Sequence, residues 1–435
     1  MSDHMHLIGF YMHSPINHSA MSWADPEDDR LDGMAGFDHW KRLARTLERG
    51  CFDAAFFADT PGGYDWYKDS LDDYVKYGVC WPSHDPMALM GVMLAETTHL
   101  GLALTLSTSG SHPYTTVRRI STLDYMSGGR VGWNIVSGHL RAEHRALGLD
   151  QLDHDARYDH ADEYMDICYA LWDGMKDGAI LADRATGQYA DPSKVDVVDF
   201  EGEFFRCRAV PPVLKSAQGR PVLFQAGSSG RGQKFAMKHA DVVFAIQPQA
   251  AAMEKFVRKL AETAAAEGRA EAPKVTFGLQ CVLGGTEAEA RRIQKDMRER
   301  IPVDAALSRM SGTMGVDFSK LPLDSRLADN TTQASQGMLM ALANMAGDGN
   351  ATVRDAAELF GASTGMPQVV GTPEQVADEM ERLWRTSGAH GFNLTPTTSL
   401  GSVEAFVDEV VPLLQKKGIY RTEYEGKTFA ENLMA

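Results

Sequence analysis

Two hydroxyls stand side by side in a turn of small residues, Gly227-Ser228-Ser229-Gly230, between the apolar run 222–226 and a segment of helical periodicity. At the end of a strand, such a turn offers free backbone N–H groups and hydroxyls at the positive end of a helix. Those are the ingredients of an anion site suited to phosphate. The same residues also fit an ordinary helix cap, in which a serine bonds only to a nearby amide. Arg231 is placed to add charge at the rim. The turn contains neither lysine nor acid, so it is not a Walker loop and not itself a catalytic centre.

Histidine is the second chemically active type. His13 and His18 flank the first long loop, His139 and His144 follow the fourth apolar run, and His154 and His160 bracket HDARYDH. His139 and His144 are five positions apart, about 500° of helical rotation, and so do not share one helix face. An HExxH pattern is absent, and no metal centre is expected. Neutral histidines at the mouth of a pocket suit hydrogen bonding to a cofactor, a substrate or an oxygen adduct, although each taken singly also fits a structural role. No GxSxG stands as an elbow at the end of an apolar strand run, and no GxGxxG opens the first strand–helix unit, which argues against a serine hydrolase and a nicotinamide Rossmann domain.

These side chains need a frame. Nearly continuous apolar runs at 6–12, 54–58, 100–107, 131–136, 222–226, 242–246, 275–283 and 391–395 read as parallel strands covered on both faces. Amphipathic stretches at 37–48, 86–97, 115–126, 160–175, 233–239, 253–267, 373–385 and 403–417 alternate with them. Eight strand–helix units predict an α/β fold, a (β/α)8 TIM barrel, rather than an open doubly wound sheet. Long insertions follow strands 1, 2, 4 and 7, at 14–36, 60–85, 177–220 and 300–370. A small hairpin is expected within 195–205, and 300–370 has the length of a lid or an oligomer contact. The whole chain, 1–435, reads as a single domain.

In such barrels ligands lie at the C-terminal ends of the strands. The informative positions are therefore those where apolar runs stop: Asp59, Thr105, Ser107, Thr108, Asn134, Ser137 and the 227–229 turn. Trp23, Tyr64, Trp66, Tyr67 and Trp81, with Phe57, either wall an apolar pocket above the barrel or pack the loops and a subunit interface.

Composition limits the partners. The 435 residues carry 59 acidic and 43 basic side chains, a formal net charge of −16, which argues against nucleic acid or an anionic membrane. Five scattered cysteines without a CxxC, no signal peptide and no long apolar run suggest a soluble cytoplasmic protein with reduced thiols.

Taken together, SGGRVGWNIVSG, HDARYDHADEYMDICYALWDG, VLFQAGSSGRGQKFAMKHADVVF and the terminal GIYRTEYEGKTFAENL resemble the bacterial luciferase-like flavin monooxygenases. The resemblance is to the branch with nitrilotriacetate monooxygenase component A, dibenzothiophene-sulfone monooxygenase and long-chain alkane monooxygenase, and runs from about residue 5 to the C-terminus. It implies a two-component, FMNH2-dependent monooxygenase, supplied with reduced FMN by a separate NAD(P)H:flavin reductase. Such an enzyme uses O2, through a flavin C4a-(hydro)peroxide, to oxygenate a small, largely apolar organic substrate. A homodimer or homotetramer is the family habit.

Carried over by position, Asp59 and Thr105 or Ser107 lie beside the isoalloxazine, and Ser137 stands in the family's NIVTS run. His154 and Tyr158 match an H-x-x-x-Y that contacts flavin and phosphate, and Ser228 and Ser229 match the phosphate serines. The chain departs from the pattern at Ser137-Gly138-His139, where Gly138 replaces a second hydroxyl. The resemblance makes His139 the foremost catalytic candidate and His18 the second. Within the same superfamily, an F420-dependent hydride-transfer oxidoreductase is the alternative, and a non-catalytic flavin-binding barrel is another.

Overall fold

Strand β1 (His6–Met12) pairs in parallel with β2 (Ala54–Ala58), β2 with β3 (Gly101–Ser107), and β3 with β4 (Val131–Val136). The series continues through β5 (Val222–Gln225), β6 (Val242–Ala245), β7 (Lys274–Leu283) and β8 (Gly391–Thr395), and β8 returns to β1. The ring therefore closes as an eight-stranded (β/α)8 barrel, and a further parallel strand, Gln368–Gly371, is added beside the C-terminal half of β7. This computed structural model describes residues 4–34, 36–226, 230–329, 336–343 and 350–434. Among the described residues no helix is long and apolar enough to cross a membrane.

Alternation along each strand divides the core in two. Ile8, Phe10, Ala54, Phe56, Ala103, Val222, Phe224, Val242 and Phe244 fill the barrel. Their neighbours Leu7, Phe57, Leu102, Trp133, Leu223 and Phe277 pack outward with the helices. The start of the barrel is plugged by the short helix Phe429–Met434, whose Phe429 and Leu433 join the interior cluster. Phe429 fits because β3 opens on Gly101, where a Cβ would come within 2.6 Å of its ring.

The outer helices follow their apolar spacing. In Phe37–Arg49, Trp40, Leu43, Ala44 and Leu47 form one buried stripe. Pro373–Ser387 begins with a Thr372–Gln375 capping box and stops at Gly388, whose φ of 66° suits a residue without a side chain. The helix His154–Asp173 begins six residues before the periodic stretch at 160–175, so HDARYDH forms its first two turns.

The insertion at 177–220 holds two hairpins, not one: Ile180–Asp183 with Gln188–Ala190, and Val198–Glu201 with Arg206–Ala209. Helices Val303–Met314 and Val353–Ser363, within 300–370, share a separate apolar core of Leu307, Met310, Met314, Phe318, Val353 and Phe360. This unit is sewn to the loop after β1. Ala20 N donates to Gly361 O (2.7 Å), Ser19 Oγ to Ala362 O (2.6 Å) and Thr364 Oγ1 to His18 O (2.9 Å).

Candidate active site

Polar side chains gather where β2, β3 and β4 end. Asp59 follows β2, and its Oδ1 accepts from Thr60 N (2.8 Å) and Ser83 Oγ (3.2 Å). Burial pushes its carboxyl up to about 6, against the pull of those two hydrogen bonds. Thr105 and Asn134 are register partners on β3 and β4, and Asn134 Nδ2 donates to Thr105 Oγ1 (3.0 Å). Asn134 Oδ1 and Thr108 Oγ1 are buried without a partner among the described residues. Buried polar atoms are seldom left unpaired, so these two mark a place for a polar ligand.

The departure at Ser137-Gly138-His139 has a steric cause. Gly138 has a φ of 68°, and a Cβ there would collide with Ser109 Oγ and stand 2.9 Å from Ser107 Oγ. The hydroxyls of Ser107 and Ser109 thus occupy the space that a side chain at 138 would need. Ser107 Oγ accepts from Ser109 N (3.1 Å), and Ser109 Oγ donates to Ser137 O (3.5 Å). Ser137 itself is partly exposed, on the turn that carries the chain to His139.

Both candidate histidines are neutral at ordinary pH. Burial, then the charges of Arg157 and His144, lower His139 to about 4. His18 lies well below its ordinary value, first through burial and then through the charges of Arg309 and Arg30. Arg309 Nη2 donates to His18 Nδ1 (3.4 Å), which leaves the ring proton on Nε2, a buried atom with no partner among the described residues. His18 thus offers a hydrogen-bond donor, whereas His139 is a neutral imidazole able to accept a proton. Among the described residues no hydrogen bond or ring contact joins the two.

His154 and Tyr158 come together on the first turns of His154–Asp173, with ring centroids 5.3 Å apart. Tyr158 also packs on Phe235 (5.6 Å) and lies under the Arg231 guanidinium (5.4 Å), both of the helix Gly230–His239, which sets the pair beside the first half of that helix. Ser228 and Ser229 lie outside the described residues. Arg231 is engaged elsewhere, donating to Asp159 Oδ1 (2.8 Å) and Asp162 Oδ2 (2.6 Å) rather than standing free as a rim charge. Those contacts, with His239 and Lys238, hold the Asp162 carboxyl well below the usual range.

Several of the aromatic residues pack the loops themselves. Tyr64 is buried with Met12, Ile16, Tyr74, Val79, Leu140 and Ala305 above the β1 end. Trp66 is covered by the Arg141 guanidinium at 4.2 Å, and Arg141 and Arg145 both donate to Asp65, which joins the loop after β2 to the helix after β4. Trp81 is 46% exposed, and Phe57 faces Trp40 in the outer layer instead of the mouth. Sequence reading misses Arg309, which reaches the β1 end from the 300–370 insertion. No group of three or more His, Cys, Asp or Glu side chains fit for a metal occurs among the described residues.

Residues 12–391 match the luciferase-like monooxygenase family. The chain belongs to that family. A dibenzothiophene-sulfone monooxygenase of Rhodococcus erythropolis is 36% identical to this luciferase-like chain, over 99% of it and 96% of the relative. Nitrilotriacetate monooxygenase component A of Aminobacter aminovorans is 33% identical over 91% and 89%. A solved riboflavin lyase, holding a modified FMN and riboflavin, superposes with a TM-score of 0.91 at 32% identity over 99% and 96% of the two chains. The luciferase-like protein described here is a flavin-dependent monooxygenase.

Proposed function

We propose that this protein is the oxygenating component of a two-component FMNH2-dependent monooxygenase. It takes reduced FMN from a separate NAD(P)H:flavin reductase and O2 from solution, acts on a small organic substrate with an apolar body, and works as a homo-oligomer. The observation that carries the reading is the polar set Asp59, Thr105, Ser107 and Asn134 at one side of the mouth, with neutral His139 at its edge. The unpartnered Asn134 Oδ1 and Thr108 Oγ1 fit the polar edge of a flavin ring, and His154 and Tyr158 beside the first half of the Gly230–His239 helix fit its ribityl phosphate.

Reduced FMN, when bound, supplies the electrons with which one atom of O2 is transferred to an organic substrate. Asp59, Thr105, Ser107, Ser137 and Asn134 orient the ring, and His154, Tyr158, Ser228 and Ser229 hold its phosphate end. His139 accepts or returns a proton at its imidazole nitrogen, a role that a folded value of about 4 allows throughout the neutral range. His18 donates from Nε2. Helices Val303–Met314 and Val353–Ser363, sewn onto the loop after β1, keep water from that side.

The test is a titration of the purified chain with FMN and reduced FMN, followed by reaction with 18O2, a flavin reductase and a panel of organic substrates. The reading requires saturable binding of the flavin and one labelled oxygen in the product. Flavin-independent turnover, tighter binding of F420, or flavin binding with no product from any substrate would overturn it.

A further inference from the structure

Arg309 is one of the largest fully buried side chains of the protein, 2% exposed. Its Nη2 touches Asn17 O (3.3 Å), His18 Nδ1 (3.4 Å) and the Met12 sulfur (3.7 Å), but its Nε and Nη1 donate to nothing among the described residues. No carboxylate lies within 4.0 Å of it among the described residues, whereas a second buried guanidinium, Arg30 in the loop after β1, has Asp28 at 4.0 Å. Two buried cations therefore lie near the end of β1, where Arg30 Nη1 also reaches Met12 O (3.5 Å), and Arg309 has no carboxylate partner of its own among the described residues. An ionised group buried without a counter-ion is strongly disfavoured, and native structures retain one chiefly where a ligand completes it.

The surroundings define that ligand. The adjoining apolar cluster is formed by Met12, Ile16, Tyr64, Val79, Leu140 and Ala305. The Arg309 charge acts on Tyr64 and Cys80 within it, opposing the rise that burial imposes on both. One further hydrogen-bonding atom there is buried and has no partner among the described residues, His18 Nε2. Donors from Arg309 and His18 beside an apolar wall suit an organic acid, whose oxygens accept from both while its carbon skeleton lies on the wall.

We propose that Arg309, with His18 Nε2, recognises the acid group of an amphiphilic organic acid, so that the substrate is an organic anion with an apolar body. This rests on the reading of the mouth as a flavin monooxygenase site and names the substrate class it takes. Arg309 is then the residue that sets specificity, and Arg rather than Lys suits it because its fork meets two acid oxygens at once.

The experiment is calorimetric titration of the full chain, with and without FMN, using octanoate, octanesulfonate and 1-octanol as probes. Wild-type protein should bind the two acids at least tenfold more tightly than the alcohol. Arg309→Gln should lose that preference by weakening acid binding about tenfold or more, with octanol binding unchanged, and Arg309→Lys should retain part of it. FMN affinity and Tm, measured on each variant, establish that it is folded. Equal affinity of the wild type for octanoate and octanol, no saturable acid binding, or an acid preference that survives in Arg309→Gln would overturn the proposal. The wild-type comparison needs no variant, so an unfolded Arg309→Gln leaves the test intact. Loss of FMN binding by the wild type would instead refute the monooxygenase reading, and the probe preference is read independently of it.

Discussion

The ring of His18 lies face to face on that of Phe10, with centroids 3.9 Å apart and planes inclined by 19°. Phe10 belongs to the barrel interior, so the histidine caps the β1 side of the core where it opens toward the mouth. Burial first, and then the charges of Arg309 and Arg30, disfavour the cationic ring. The expected outcome is that His18 stays neutral at about pH 5.5, where an exposed histidine is mostly charged. Imidazole resonances in a pH titration check this, and Arg309→Met should move the His18 midpoint upward.

His139→Ala should leave FMN affinity within about twofold of wild type and lower turnover by about 10²–10⁴-fold, the range of a lost general acid–base group. Because the folded value of about 4 lies below the ordinary 6.5, the neutral ring is present throughout the neutral range and is lost only as pH falls through about 4. The same sign governs stability. His139's contribution is complete above about pH 6.5 and disappears toward pH 4, as the unfolded chain takes up its proton first. An activity profile whose acid limb is unchanged in His139→Ala would refute the role.

Gly138→Ser, which restores a hydroxyl at that position, should destabilise the enzyme rather than improve it. A side chain there combines a positive φ with a collision against Ser109 Oγ, a cost of about 1–3 kcal/mol. Tm should fall by several degrees, and adding Ser109→Gly should recover part of it. Differential scanning calorimetry of the single and double variants decides.

Asp59→Asn should stabilise the protein at pH 8 and have no effect near pH 4. The folded carboxyl, at about 6, lies above its ordinary 3.8, so the folded state binds the proton more tightly and loses stability as pH rises through 6. Allowing for its partial exposure, the gain is about 1–2 kcal/mol. Chemical denaturation at the two pH values measures it, and flavin binding should weaken in the same variant.

Ser229→Ala should weaken FMN about tenfold while leaving riboflavin, which lacks the phosphate, unaffected; removal of one hydrogen bond to a charged group is of that size. Parallel fluorescence titrations with the two flavins would show it. Equal losses for both would remove the phosphate assignment.

The barrel was legible because each strand is buried on both faces, which leaves a run of apolar residues that needs no partner to be seen. Strands 54–58 and 131–136 match to the residue. The helix from His154 was read late because HDARYDH is polar, and only Arg157 and Tyr158 of its first two turns are buried. Thr105, Asn134 and Ser137 could be found as the places where apolar runs stop. Arg309 could not, for its partner His18 is 291 positions away, and Val303–Met314 is an ordinary amphipathic helix until the loop after β1 folds against it. The steric reason for Gly138 was hidden for the same cause, since the obstructing serines belong to the neighbouring strand end.

The helix Phe429–Met434 fills the barrel floor, and its approach is fastened by Arg421 to Asp53 (2.7 Å) and by Tyr420 to Gly50 O (2.9 Å). Those anchors lie in the turn between the helix Phe37–Arg49 and β2, made near the beginning of synthesis. The interior of the barrel is therefore completed by side chains, Phe429 and Leu433, that leave the ribosome long after the first strands they cover.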